Sequence, residues 1–136
     1  MAIEVKITGN QGEIILKEDD NNLGAENIDF IFDSDDEVKD KSYDALIGLK
    51  LSGEISGKNK EETLELGKWA LCTSGEGAYR KVNVKIINSD SDIVREYDFS
   101  SMFVVDYNEN FNKQGVGKYE IVLRQKSKET GIEIFA

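Results

Sequence analysis

Alternation of apolar and polar residues with a period of two constrains this chain more than any other feature. Ile3, Val5 and Ile7 alternate with Glu4 and Lys6, and a second apolar run follows at Ile14 to Leu16. Ile28, Phe30 and Phe32 form the next set, followed by Ile47, Leu49, Leu51 and Ile55. Val82, Val84 and Ile86 stand between Lys81, Asn83 and Lys85. Ile93, Tyr97 and Phe99 share a parity, as do Phe103, Val105 and Tyr107. Tyr119, Ile121 and Leu123 follow, and Ile132 with Ile134 ends the series. Successive side chains of a strand point to opposite faces, so each segment predicts one face in a core and one in water. About eight or nine such segments, punctuated by Gly, Asn, Asp and Ser, predict an all-β, mainly antiparallel barrel or sandwich. The 136 residues suit a single domain spanning residues 1–136, with no internal repeat or linker.

One segment departs from this period. Lys60 to Cys72 has helix-forming composition, Asn59 stands three residues before Glu62 as a capping-box variant, and Gly75 and Gly77 follow as stop signals. At about 100° per residue, Leu66, Trp69 and Ala70 share one side of this helix, and Leu64, Leu71 and Cys72 roughly the opposite side. A helix lying on a sheet needs one apolar stripe. The second is covered either by a loop of the same chain or by a neighbouring subunit.

Several function classes are excluded by what is missing. Without histidine there is no Ser-His-Asp or Cys-His catalysis and no histidine-ligated zinc or haem. A single cysteine, Cys72, makes neither an internal disulfide nor a thiolate cage, and after Trp69, Ala70 and Leu71 it reads as a buried structural thiol. A net charge of −10 argues against tracking nucleic-acid phosphates or binding an anionic membrane. No apolar run approaches the ~20 residues of a membrane span, and Met1 to Gly12 lacks a signal peptide's pattern, so cytoplasmic synthesis is expected.

The candidate chemical sites have plainer readings. Asp33-Ser34-Asp35-Asp36-Glu37-Val38 begins like a calcium loop but has valine where the sharp turn requires glycine, and Asn88 to Ile93 fails at the same position. Both read as turns in which Asn, Asp and Ser bond their own backbone. Carboxylates are too numerous for any pair to stand out as glycosidase residues. Gly75-Glu76-Gly77 and Gly115-Val116-Gly117 lack the lysine and hydroxyl residue of a phosphate loop, and the second reads as a hairpin turn. Phe99, Phe103, Tyr107 and Phe111 read as sheet core and not as a ligand-stacking platform. The chain is therefore expected to have no catalytic, cofactor or metal-binding residues.

Charge is unevenly spread. Between Glu18 and Asp44 acidic residues are opposed only by Lys39 and Lys41, and this window holds nearly all of the net charge. From Lys113 onward the balance reverses, with Lys113, Lys118, Arg124, Lys126 and Lys128 against Glu120, Glu129 and Glu133. Such blocks are either solvated loops or complementary surfaces that meet when identical subunits join head to tail. Proline, one means of blocking exposed sheet edges, is absent.

The helix ETLELGKWALC is followed by YRKVNVKI, then DIVREYDFSSMFVVDYNENF, then GKYEIVLRQK. This layout of strands, one helix and strands, with the texture around FVVDYNENF, resembles the tube-forming proteins of contractile injection machines. These are phage tail-tube subunits and the haemolysin-coregulated proteins of type VI secretion. It also resembles small Firmicute proteins loosely labelled "membrane-associated protease", a label that finds neither a catalytic set nor a membrane segment here. The resemblance implies a small tail-tube-like β-barrel with a helix packed on its side. It implies a non-enzymatic subunit that partners itself in a hexameric ring, with sheath or other tail components as further partners, in an exported or phage-like particle. The expected contacts between copies are Asp33, Asp35, Asp36 and Glu37 on the acidic side, Lys113, Lys126 and Lys128 on the basic side, and Leu66 and Trp69 of the helix. The alternative is a monomeric β-sandwich module that binds carbohydrate or a protein partner.

Overall fold

The structure, a computed structural model, describes residues 1–10, 12–19, 23–33, 46–72, 75–126 and 132–135. The alternating segments become strands β1 (Ala2–Gly9), β2 (Gly12–Leu16), β3 (Asn27–Asp33), β4 (Leu46–Ile55), β5 (Arg80–Ile87), β6 (Ile93–Phe111), β7 (Gly117–Gln125) and β8 (Ile132–Phe135). Helix α1 (Lys60–Leu71) lies between β4 and β5. Every ladder is antiparallel, and the strand order is β2-β1-β5-β6-β7-β4-β3. Met102 of β6 pairs with Arg80 of β5 on one edge and Gln125 of β7 on the other. Phe99 likewise pairs with Val82 and with Ile132 of β8, so β7 and β8 follow one another along the same edge of β6.

The sheet is rolled. In the ladder β3 and β6 are separated by β4 and β7, yet the Phe30 ring lies 3.8 Å from Tyr97 and 6.4 Å from Phe99, centroid to centroid. Only curling the sheet about a shared interior brings those rings together. The result is an antiparallel β-barrel around one apolar cluster, with α1 packed on its side against β2 and β6. Among the described residues no ladder joins the end strands β2 and β3. Val5, Ile7, Ile14, Leu16, Leu49, Leu51, Val82, Val84, Ile121 and Leu123 fill the interior, as the alternation predicts. Each contributes about 1.5–3 kcal/mol by leaving water.

Strand β6 departs from the simple pattern. The sequence reads as two segments there, one carrying Ile93, Tyr97 and Phe99 and the next Phe103, Val105 and Tyr107. The structure has one 19-residue strand whose register shifts three times, between the pairs Ile87–Ile93 and Ile86–Arg95, between Val82–Phe99 and Arg80–Met102, and again between Val104 and Asp106. Each extra residue moves the inward phase by one position. Phe99 and Met102 are therefore fully buried, Val104 and Tyr107 are half-buried, and Val105 is 52% exposed. Phe103, expected in the core, is half-buried and meets the edge of the Tyr79 ring. Phe111 is 61% exposed and is not core.

Two local expectations also change. Asn59 makes no side-chain bond to the helix N-terminus. It is fully buried, donating from Nδ2 to the Glu54 carbonyl at 2.6 Å and accepting the Ser56 N–H at Oδ1. It thus ties the end of β4 to the start of α1. Neither Gly75 nor Gly77 terminates the helix, which stops at Leu71 with the Cys72 N–H bonded to the Trp69 carbonyl. The two short turns behave as read. Asn88 Oδ1 accepts the N–H groups of Asp90 and Asp92, and Asn112 Oδ1 those of Gln114 and Val116, each at 2.9–3.1 Å. The calcium-like segment from Ser34 to Val38 lies outside the described residues.

Candidate assembly surface

Helix α1 has two apolar sides, and the structure assigns them different roles. Leu66 and Trp69 are completely buried within the protein's own core. Trp69 Nε1 donates to the Ala78 carbonyl at 3.0 Å, and the Arg80 guanidinium lies 5.3 Å from the indole centroid. Leu66 and Trp69 are therefore corrected from expected contacts between copies to internal packing. A neighbour reaches neither without opening the barrel. The opposite side carries Leu64, 53% exposed, and Leu71, 83% exposed. Cys72, read as a buried thiol, is half-buried at the helix end.

A groove of about 600 Å³ runs between this outer side and the second half of β6. Leu64, Gly67, Ala70 and Leu71 form one wall, and Val104, Val105 and Tyr107 form the other. A Cβ at Gly67 would stand 3.6 Å from the Tyr107 ring, an ordinary contact distance, so helix and strand meet here at van der Waals range. The Tyr107 hydroxyl donates to Glu109 Oε1 at 2.6 Å, and it stands 3.3 Å from the Thr63 carbonyl. Burial, with the Glu109 carboxylate beside it, raises the pKa of this hydroxyl well above the usual tyrosine range, so it remains a neutral donor. Asp106, Glu109 and Lys68 stand at the rim, with Lys68 Nζ 3.3 Å from Glu65 Oε1. Val105 also lines a smaller hollow of about 130 Å³ with Ile31, Ile47, Gly48 and Val122. Through it the apolar band extends from the helix across β7 and β4 to β3.

Part of the remaining outward surface is polar. On the face of β1, β5 and β6, a shallow cleft is lined by Lys6, Thr8, Lys81, Asn83, Lys85, Glu96 and Asp98. Asn83 Nδ2 donates to Glu96 Oε2 at 2.7 Å, and Lys6 lies 3.6 Å from Glu13. Lys50 and Glu120 pair at 3.4 Å on β4 and β7. These are hydrated surfaces contributing little to stability.

Of the other residues expected at contacts between copies, Asp33 ends β3, the last strand of the ladder. Asp35, Asp36, Glu37 and Lys128 lie outside the described residues. Lys113 is exposed in the β6–β7 turn, and Lys126 lies 4.9 Å from the Tyr79 ring centroid. Of the three that are described, Asp33 and Lys126 lie toward one end of the sheet and Lys113 lies at the other. Sequence reasoning missed Val105 and Tyr107 as groove walls because it took β6 to be free of bulges. Among the described residues, no three His, Cys, Asp or Glu side chains stand close enough to hold a metal ion. No helix among them is long and apolar enough to cross a membrane.

This rolled antiparallel sheet with one flanking helix is shared with the tube proteins of contractile injection and secretion machines. No protein-family model matches the chain, and no curated protein matches its sequence. Solved structures match over nearly its whole length. An Hcp1 protein from E. coli EAEC 042 superposes with a TM-score of 0.65 at 12% identity, covering 100% of this chain and 99% of that one. Hcp1 from Flavobacterium johnsoniae gives 0.59 at 14% identity, covering 96% and 94%. A chain of the sheath-tube complex of the extracellular contractile injection system PVC gives 0.55 at 12% identity, covering 97% and 88%. The likeness defines the fold: an Hcp-like barrel from end to end.

Proposed function

We propose that this protein is a non-enzymatic, self-assembling structural subunit of a phage-tail-like or type VI-like contractile secretion apparatus. Copies join head to tail into a ring, six to the ring as the resemblance to tube proteins implies, with sheath or other tail components as outer partners. The observation that carries this reading is the near-complete mutual coverage with Hcp1, 100% of this chain and 99% of that one. The apolar band over α1, β6 and β3, exposed among the described residues, supports it, since exposed contiguous apolar surface marks interaction sites. The mechanism is geometric. Apolar and charged patches join unlike faces of successive copies, and the polar positions of the barrel strands line a hydrated lumen.

Sedimentation velocity over a range of protein and salt concentrations tests it. The expected result is a species several times the 15.3 kDa chain mass, weakened at high salt where charged patches contribute. A strict monomer at the highest concentration overturns assembly and favours the binding-module reading.

A further inference from the structure

Two unlike surfaces in this protein, a groove and a hairpin tip, both expose apolar side chains and carry opposite charge. One is the groove between α1 and β6. Its walls expose Leu64, Leu71 and Val105, and its rim carries Asp106 and Glu109, neither with an ion-pair partner among the described residues. The other is the tip of the β6–β7 hairpin. Phe111 is 61% and Val116 39% exposed there, and Lys113 and Lys118 are exposed without an ion-pair partner among the described residues.

The tip is braced before any partner arrives. The Asn112 N–H bonds the Val116 carbonyl at 3.1 Å, the Gly115 N–H bonds the Asn112 carbonyl, and Asn112 Oδ1 holds two further N–H groups. Gly115 supplies the positive φ of 81° that the turn requires. The Phe111 ring lies across Gly117, where a Cβ would stand 2.6 Å from it, so the missing side chain is what seats the aromatic. A braced apolar knob carrying two lysines loses little freedom on binding.

We infer that the β6–β7 tip of one copy seats in the α1–β6 groove of the next, with Phe111 and Val116 against Leu64, Leu71 and Val105, and Lys113 and Lys118 against Asp106 and Glu109. The contact rests on the proposed self-assembly and specifies its surfaces. Because knob and groove are different parts of the chain, each copy offers one of each, and the contact propagates in one direction.

Charge reversal in the full chain tests it by sedimentation velocity. Asp106→Lys with Glu109→Lys, and separately Lys113→Glu with Lys118→Glu, should each weaken association by about tenfold or more, and the four changes together should restore most of it. Circular dichroism checks that each variant folds. As a second measurement, Cys72→Ser carrying Leu64→Cys and Val116→Cys should give a ladder of intermolecular products with a short bismaleimide. If wild type assembles but reversal has no effect, or the combined variant is no better than either pair, or the ladder is absent, the knob-and-groove contact is wrong while self-assembly stands. If wild type never assembles, the function proposed above fails with it.

Discussion

Substitutions on the two sides of α1 should have opposite consequences. Leu66 and Trp69 are fully buried, whereas Leu64 and Leu71 are 53% and 83% exposed. Replacing Trp69 by leucine removes a large buried ring and its bond to the Ala78 carbonyl, so the fold should lose about 3–5 kcal/mol. Replacing Leu64 and Leu71 together by serine removes only the smaller, buried parts of the two side chains, and the isolated fold should lose about 1–2 kcal/mol. Association is where that variant should fail. At about 2 kcal/mol for a fully covered leucine, the exposed parts of the two side chains contribute about 3 kcal/mol to a contact that covers them. That corresponds to a loss of about a hundredfold in affinity per contact. Urea titration of dilute protein reads the first quantity, and sedimentation equilibrium reads the second. Unchanged association in the serine variant, or an unchanged urea midpoint in the Trp69→Leu variant, would refute this assignment of the two faces.

Other expectations follow from single contacts. A Cβ at Gly53 would stand 2.9 Å from the Tyr119 ring, so Gly53→Ala should destabilise by about 1–3 kcal/mol in urea titration. The Tyr119 hydroxyl is buried without a hydrogen-bond partner among the described residues, so Tyr119→Phe should stabilise by about 1 kcal/mol in the same assay. Burial, with Glu26 adding to it, holds the Tyr119 pKa above its usual value in the folded state. The unfolded chain releases that proton first, near pH ~10, so stability should be intact below this value and decline above it. The decline should be smaller in Tyr119→Phe, as alkaline unfolding followed by circular dichroism would show. Ser91 adopts a φ of 68°, and Ser91→Gly should raise the thermal midpoint through a gain of about 0.5–1 kcal/mol.

The barrel was legible in the sequence because period-two alternation is a direct image of a surface with one wet and one dry face. Leu49, Leu51, Val82, Val84, Ile121 and Leu123 all lie where parity places them. Parity is a local rule, and β6 shows its limit. Two of the three register shifts in this strand move Met102 inward and leave Val105 exposed, and no residue type between Phe99 and Tyr107 marks a bulge as Gly or Asn would. Helical spacing showed that α1 has two apolar sides without showing which one the barrel claims, because that depends on where β2 and β6 arrive from distant parts of the chain. Asn59 looked like a cap by position, but the Glu54 carbonyl and Ser56 N–H are nearer partners in the folded chain. The groove was illegible for the same reason, since its two walls are about forty residues apart in sequence.

End-on electron micrographs of the concentrated, purified protein test the central claim most directly. Assembly through unlike faces predicts closed annuli with a stain-filled centre and a uniform subunit number. A field of single particles of barrel size, unchanged across salt and protein concentration, would contradict it.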